Sequence, residues 1–251
     1  MLKRIKKQLL QLEEQNLKRN IIHKNANSDQ TKVTVNNKDY IDFTSNDYLG
    51  LSNHPEVINA AQNTLQKYGV SASSSSWVSG LTDIHLELKE TIATWLQQPK
   101  ATLFSCGFMA NIGCIQALCS RKDIVFHDKN NHASLIEAVK LKNCKHYRYH
   151  HLDYAHLKKL LNQHHQQYNW VITDAVFSMS GKIAPLQKIQ QLSKLNSAHL
   201  IIDDAHGIGV LGKNGAGTLN ELNIESSANN LHIITFGKAI GTMGAAVAGD
   251  N

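Results

Sequence analysis

Residues 201–212 read IIDDAHGIGVLG, and two rival readings of the fold meet in them. The last six residues, Gly207 to Gly212, spell Gly-x-Gly-x-x-Gly, the phosphate turn of dinucleotide-binding folds. The four before them, Asp203 to His206, set two carboxylates and an imidazole directly after an apolar run. A dinucleotide turn needs its glycines at the end of the strand, a long helix opening on them, and an acid about 20 residues further on. Here four residues intervene, KNGAG (213–217) adds two more glycines, and the positions around Leu231 are apolar. The glycines therefore read as a turn beyond a strand, and the chemistry is sought in DDAH.

Outward from this stretch, short apolar runs alternate with amphipathic ones. Strands are predicted at KATLFS, DIVFHD, KHYRYH, NWVITDAVF and HLIIDDA, and helices at GFMANIGCIQALCS, ASLIEAVKLK, YAHLKKLLNQHH and PLQKIQQLSKLN. Such alternation builds βαβ units, hence an α/β fold with a mostly parallel sheet flanked by helices. Ligands of such sheets sit at the carboxyl ends of the strands, so CGF, NNHAS, SMSG, DDAHG and TFGK are the places to look. Upstream, Pro55 in a first turn and Gly69 at an end predict a helix over 55–68. KVTVNNKDYIDFTSNDYLGL (32–51) reads as a short hairpin and an entry loop. SASSSSWVSG (71–80) reads as an ordered loop, because Trp77 and Val78 suit a solvated tether poorly.

At 251 residues and 42% hydrophobic, the chain can bury a large α/β core. Its 26 basic and 20 acidic residues leave a surplus that could suit an anionic ligand but reads first as a Lys-, Asn- and Gln-rich composition without a basic block, so nucleic acid is not an expected partner. Four cysteines without a C-x-x-C pair point to neither a zinc ribbon nor a disulfide framework, and a reducing cytoplasm fits them. MLKRIKKQLLQLEEQNLKR (1–19) spaces Leu2, Ile5, Leu9, Leu12 and Leu17 as an amphipathic helix, without a signal-type cleavage site. No apolar run approaches a membrane span, so no membrane partner is expected.

A carboxylate at the end of a buried strand is costly unless a cation faces it. Adjacent strand residues point to opposite faces, so only one of Asp203 and Asp204 can aim at a ligand while the other faces the scaffold. IITFGKAIG (233–241) ends another strand with Lys238 between Gly237 and Ala239, small neighbours that let a bulky ligand approach. An acid for a ring nitrogen and a lysine for an aldehyde are the two protein parts that pyridoxal phosphate chemistry needs. His132, in NNHASL, is placed to lie flat on such a ring. The histidine pairs at 150 and 164 lack carboxylate or thiol companions at ligand spacing, so no metal is expected. In SCGFMAN, Gly107 and Phe108 offer amides where a strand turns into a helix N-terminus, and Thr235 and Ser178 are further hydroxyls at strand ends.

Taken together, SNDYLGL (45–51), VSG (78–80) followed by His85, GFMAN, HASLIEA, VFSMSGKIAPL, IIDDAHGIGVLG and TFGKAIG resemble the α-oxoamine synthases, in order and spacing from about residue 40 to the last residue. These are fold-type I pyridoxal phosphate enzymes that join an amino acid to an acyl-CoA with loss of carbon dioxide. The resemblance implies Lys238 as the lysine that forms a Schiff base with the cofactor, Asp203 as the partner of the ring nitrogen, His206 at the ring oxygen and His132 stacked on the ring. It implies Gly107, Phe108 and Thr235 in the phosphate or ring pocket, Ser178 near the ring oxygen, and Arg19 as a substrate-binding arginine. The implied substrates are L-alanine and pimeloyl-CoA or a pimeloyl carrier protein, handled by a homodimer. Within the family a glycine C-acetyltransferase is the nearest alternative, and a truncated, non-catalytic remnant is the alternative outside it. Two departures stand out. SASSSSW replaces the family's glycine-rich loop, and the chain stops at Asn251, so the small C-terminal domain of relatives and its carboxylate-binding arginine are expected to be missing. The expected organisation is a helix and hairpin segment over 1–45 and an incomplete cofactor-binding large domain over 46–251, with weak activity for the chain alone.

Overall fold

The computed structural model describes residues 2–21, 23–24, 31–164, 168–225 and 227–250. It divides into two compact units, residues 1–45 and 46–251. In the first, helix α1 (Leu2–Glu14) buries none of its residues, so Leu2, Ile5, Leu9 and Leu12 form an exposed apolar stripe. Strands β1 (Lys32–Val35) and β2 (Lys38–Ile41) pair antiparallel. Asn36 and Asn37, both at positive φ (50° and 60°), make the two-residue turn that this pairing needs.

In the second unit, α2 (Pro55–Tyr68) starts on its proline and ends on Gly69 at φ 75°, a conformation open to glycine. Residues 71–80 form turns, in which Val78 and Gly80 donate backbone hydrogen bonds to the Ser75 carbonyl. Trp77 and Val78, expected to help order this loop, are exposed. Its shape comes from backbone bonding and not from burial of those two side chains.

The large sheet has seven strands in the order β3-β9-β8-β7-β6-β4-β5. They are β3 (Lys100–Phe104), β4 (Ile124–Asp128), β5 (Lys145–Tyr149), β6 (Asn169–Asp174), β7 (Ala198–Asp203), β8 (Asn230–Thr235) and β9 (Ala245–Gly249). All neighbours are parallel except β9, which runs antiparallel to both β8 and β3. Helices α4 (Gly107–Leu118) and α5 (Ala133–Lys142) cover one face, packing with Val125, Ile172, Ile201 and Ile233. Helices α6 (Tyr154–Gln163) and α7 (Leu186–Leu195) cover the other, packing with Phe126, Val171, Leu200 and Ile202. A third cluster joins α3 (Asp83–Trp95) to β8 and β9 through Ile92, Ile234 and Ala246.

β4 and β6 are buried along their whole length, as strands covered on both faces must be. Burying each large aliphatic side chain contributes roughly 1.5–3 kcal/mol, which makes these faces the main stabiliser of the domain. The same alternation sets the register of the polar ends. Ile201 faces α4 and α5, so Asp203 follows it there; Leu200 and Ile202 face the other side, so Asp204 follows them.

Candidate active site

Strand ends, the turns after them and the first turns of α4 and α5 close on one cavity of about 140 Å³. Gly107, Phe108, His132, Ser178, Asp203, His206, Thr235 and Lys238, each singled out from the sequence, all line it. Arg19 is an exposed residue of the N-terminal unit, beyond α1.

Asp203 ends β7 beside Asp174, the last residue of β6, with which it is in register. Its carboxylate accepts hydrogen bonds from Nδ2 of Asn111 at 2.6 Å and from the Ala205 N–H at 3.0 Å. Only 7% of Asp203 is exposed, and no cation lies within ion-pair distance of it among the described residues. Asp174 accepts from the His132 N–H at 2.7 Å. Burial, and then the charge of Asp203, push its carboxyl well above the ordinary carboxylate range.

Lys238 follows β8, and its Nζ lies 2.6 Å from Nε2 of His206. Burial pulls the amine below its ordinary range, while Asp203 and Asp174 act in the opposite direction. His206 is held down to about 4, first by burial and then by the charge of Lys238, so its imidazole is neutral at physiological pH. His132 caps α5: its Nδ1 is 2.7 Å from Oγ of Ser134 and accepts from the Ser134 N–H at 3.3 Å. This fixes the ring at the mouth of the helix. At α4 the N-cap Cys106 supplies no side-chain bond to the first turn, where N–H groups lack intrahelical partners. A Cβ on Gly107 would sit 3.4 Å from Oγ1 of Thr235, so a glycine leaves that corner open to a ligand.

Asp204 has a different setting. It is fully buried and accepts from the Thr218 N–H at 2.7 Å, the Thr218 hydroxyl at 2.5 Å and Nε2 of His232 at 2.9 Å. The glycines of the opening stretch serve this arrangement. A Cβ on Gly207 would lie 2.1 Å from both Oδ1 of Asp204 and Oγ1 of Thr218, and Gly209 and Gly212 sit at φ 78° and 77°. They pack a turn on a carboxylate and open no long helix.

Residues 38–251 match the aminotransferase class I and II family. The chain belongs to this family. Among curated members it is 48% identical over 217 residues to the 8-amino-7-oxononanoate synthase of Nitrosospira multiformis, covering 86% of this chain and 54% of that one. It is 41% identical over 219 residues to that of Methylococcus capsulatus, covering 87% and 57%. The chain thus spans little more than half the length of the curated relatives it matches. Among solved structures, the serine palmitoyltransferase of S. paucimobilis with a bound PLP-myriocin aldimine superposes with a TM-score of 0.89 at 26% identity, over 98% of this chain and 62% of that one. The 8-amino-7-oxononanoate synthase of Francisella tularensis superposes with a TM-score of 0.70 at 36% identity, over 83% and 58%.

For this class I and II aminotransferase family chain, sequence reading passed over four polar residues of the site. Asn111, Ser134 and Asp174 line the cavity, and Tyr48 reaches His206 with its hydroxyl, 2.6 Å from Nδ1. Asn111 and Tyr48 lay inside quoted motifs, GFMAN and SNDYLGL, but only their distance to Asp203 and His206 marks them out. Among the described residues no group of three histidine, cysteine, aspartate or glutamate side chains is placed to hold a metal ion, and no helix is long and apolar enough to cross a membrane.

Proposed function

We propose that this chain carries the pyridoxal phosphate site of an enzyme that condenses L-alanine with pimeloyl-CoA, or a pimeloyl carrier protein, to 8-amino-7-oxononanoate in biotin synthesis. The observation that carries the reading is a buried carboxylate without an ionic partner, Asp203, lining one cavity with the amine of Lys238. The residues present fit the cofactor: an anion for a protonated ring nitrogen, a lysine for its aldehyde, and the α4 N-terminus with Thr235 for its phosphate. When bound, pyridoxal phosphate supplies an electron sink for the carbon beside the substrate's amino group.

Each residue then has a task that its surroundings support. Asp203, aligned by Asn111 and Ala205, would hold the proton on the ring nitrogen. His132, anchored by Ser134, would pack on the ring face, and Ser178 and His206 would hydrogen-bond the ring oxygen. Gly107, Phe108 and Thr235 would hold the phosphate. Lys238, its amine brought nearer to neutrality by burial, would remove the proton from the α-carbon of alanine and later return one. Arg19 is proposed as a substrate-binding cation on the resemblance alone, and residues 46–251 as the large domain of a cytoplasmic homodimer. That the relatives above are 8-amino-7-oxononanoate synthases supports the acyl and amino-acid choice.

The likeness to serine palmitoyltransferase favours a second reading, another amino acid and acyl thioester on the same site, which the higher identity to the 8-amino-7-oxononanoate synthases outweighs. Borohydride reduction of the cofactor-loaded chain followed by peptide mass mapping tests the site. The pyridoxyl group should appear on Lys238, and its appearance on any other lysine refutes the assignment. Turnover of alanine against serine or glycine, with pimeloyl and longer acyl thioesters, then separates the two readings.

A further inference from the structure

Tyr48 lies in SNDYLGL, on the loop before the turn at Leu51–Asn53. Its hydroxyl is 2.6 Å from Nδ1 of His206, whose Nε2 is 2.6 Å from Nζ of Lys238, and on the other side it is 3.2 Å from Oδ1 of Asn46. The two inner contacts are at the short end of hydrogen-bond lengths. Tyr48 is 44% exposed, whereas Lys238 is half-buried, so this row of atoms runs from the cavity to the surface. The loop is firmly seated. The N–H groups of Leu51 and Ser52 donate to the Asp47 carboxylate at 3.0 and 3.2 Å. Gly241, at φ 72°, bears no Cβ where one would lie 2.4 Å from the Ser52 nitrogen.

We propose that His206 and Tyr48 form a proton path between Lys238 and solvent, in which the imidazole changes tautomer each time a proton passes and the Tyr48 hydroxyl keeps Nδ1 partnered in both states. The proposal rests on the reading of Lys238 as the cofactor-attaching lysine, which must shed a proton to act as nucleophile or base. Tyr48 is a positioning residue, acting through His206.

The proton count closes. With Lys238 as the ammonium, Nζ donates to Nε2, Nδ1–H donates to Oη of Tyr48, and the Tyr48 hydroxyl donates to Asn46. Deprotonation moves one proton from Nζ to Nε2, one from Nδ1 to Oη, and one from Oη to water. The amine now accepts from Nε2–H and Nδ1 accepts from Tyr48, while exposed Asn46 can turn its NH₂ toward Oη. Burial raises the phenol above its ordinary value and His206 is held near 4, so the chain passes protons and stores none near neutral pH. Asp203 and Asp174 act on Lys238, and His132 and, through space, Asp204 act on His206; both tautomers of the imidazole are neutral in that field.

The test uses the cofactor-free chain, labelled with ¹⁵N in histidine and lysine and followed by NMR against pH. Below the Lys238 midpoint, Nδ1 of His206 should resonate as a protonated nitrogen and Nε2 as an unprotonated one; above it the two should exchange, with one common midpoint. In Tyr48→Phe the low-pH tautomer should persist, because the ammonium can only donate to Nε2, but above the midpoint, with Nδ1 left without its partner, the two nitrogens should show averaged positions in place of the exchange. In Lys238→Met the pH-linked exchange should vanish. One tautomer on both sides of the midpoint in the parent chain, or an unaltered exchange in Tyr48→Phe or Lys238→Met, overturns the proposal. Should a variant fail to fold, the titration of the parent chain decides. Because no cofactor is present, failure of pyridoxal phosphate to bind leaves this readout untouched and counts only against the functional reading.

Discussion

Asp203 and Asp204 are consecutive, identical in side chain and both buried, yet they serve opposite faces of the sheet. Asp204 is closed in: three hydrogen bonds come from Thr218 and His232, and a Cβ on Gly207 or Gly217 would fall 2.1 or 2.3 Å from its oxygens. Asp203 is held by Asn111 and Ala205 but lines a cavity that it shares with Lys238. A carboxylate saturated by the fold stabilises the fold; one left partly open keeps the capacity to bind a cation. Strand alternation sorts the two, and the comparison can be attacked from either side.

The largest effect is expected at the closed carboxylate. Asp204→Ala leaves the Thr218 N–H and hydroxyl and the His232 ring without their buried acceptor, and should cost about 3–5 kcal/mol, read from urea unfolding followed by tryptophan fluorescence. A loss no greater than that of Asp203→Ala would erase the distinction. Next, Asp203→Ala should weaken retention of pyridoxal phosphate on dialysis about tenfold to a hundredfold, as loss of a charge-assisted bond of about 1.5–3 kcal/mol implies. Unchanged retention would mean that the open face is not the cofactor face.

A smaller effect probes the field on the open side. The Asp174 carboxyl titrates above its ordinary 3.8 in the folded chain, so the unfolded chain gives up this proton first as pH rises. Its contribution to stability is therefore neutral below 3.8 and turns unfavourable as pH climbs from there to the raised value. Asp174→Asn, which keeps an acceptor for the His132 N–H, should raise thermal stability at neutral pH by at least about 1 kcal/mol, and by nothing in acid. A gain that is the same at both pH values would show that neither burial nor the charge of Asp203 raises this carboxyl. The smallest change is expected at Gly237, where a Cβ would meet nothing nearer than 3.6 Å. Gly237→Ala should leave stability within about 0.5 kcal/mol of the parent, so any weakening of cofactor retention would report contact with the ligand alone.

Periodicity was enough to place most of the large sheet. The strands at KATLFS, DIVFHD, KHYRYH, NWVITDAVF and HLIIDDA and the helices between them stand where alternation of apolar and amphipathic runs puts them, because each must bury one or two faces. The stretch between Leu81 and Trp95 was passed over, although Thr82 and His85 form a capping box at the start of α3. The direction of β9 was equally invisible, since GAAVAG is apolar on both faces and bears no mark of which neighbour it pairs with. At the site, residues that follow strands were legible because chemistry collects at strand ends. Asp174 was not, since its meaning comes from standing beside Asp203 in a parallel pair, 29 positions earlier in the chain.

By itself, then, the sequence determined the class of fold and the strand ends that bear polar groups, and it directed the search for a site to DDAH rather than to the glycines behind it. Those are local properties, set by side-chain period and by the cost of burying charge. Only the tertiary structure decided that Thr218 and His232 close in Asp204, that Asn111 and Asp174 flank Asp203, and that Tyr48 meets His206 across 158 positions of chain. These depend on register and on the approach of distant loops, which glycines such as Gly207 and Gly241 permit by leaving out a single carbon atom.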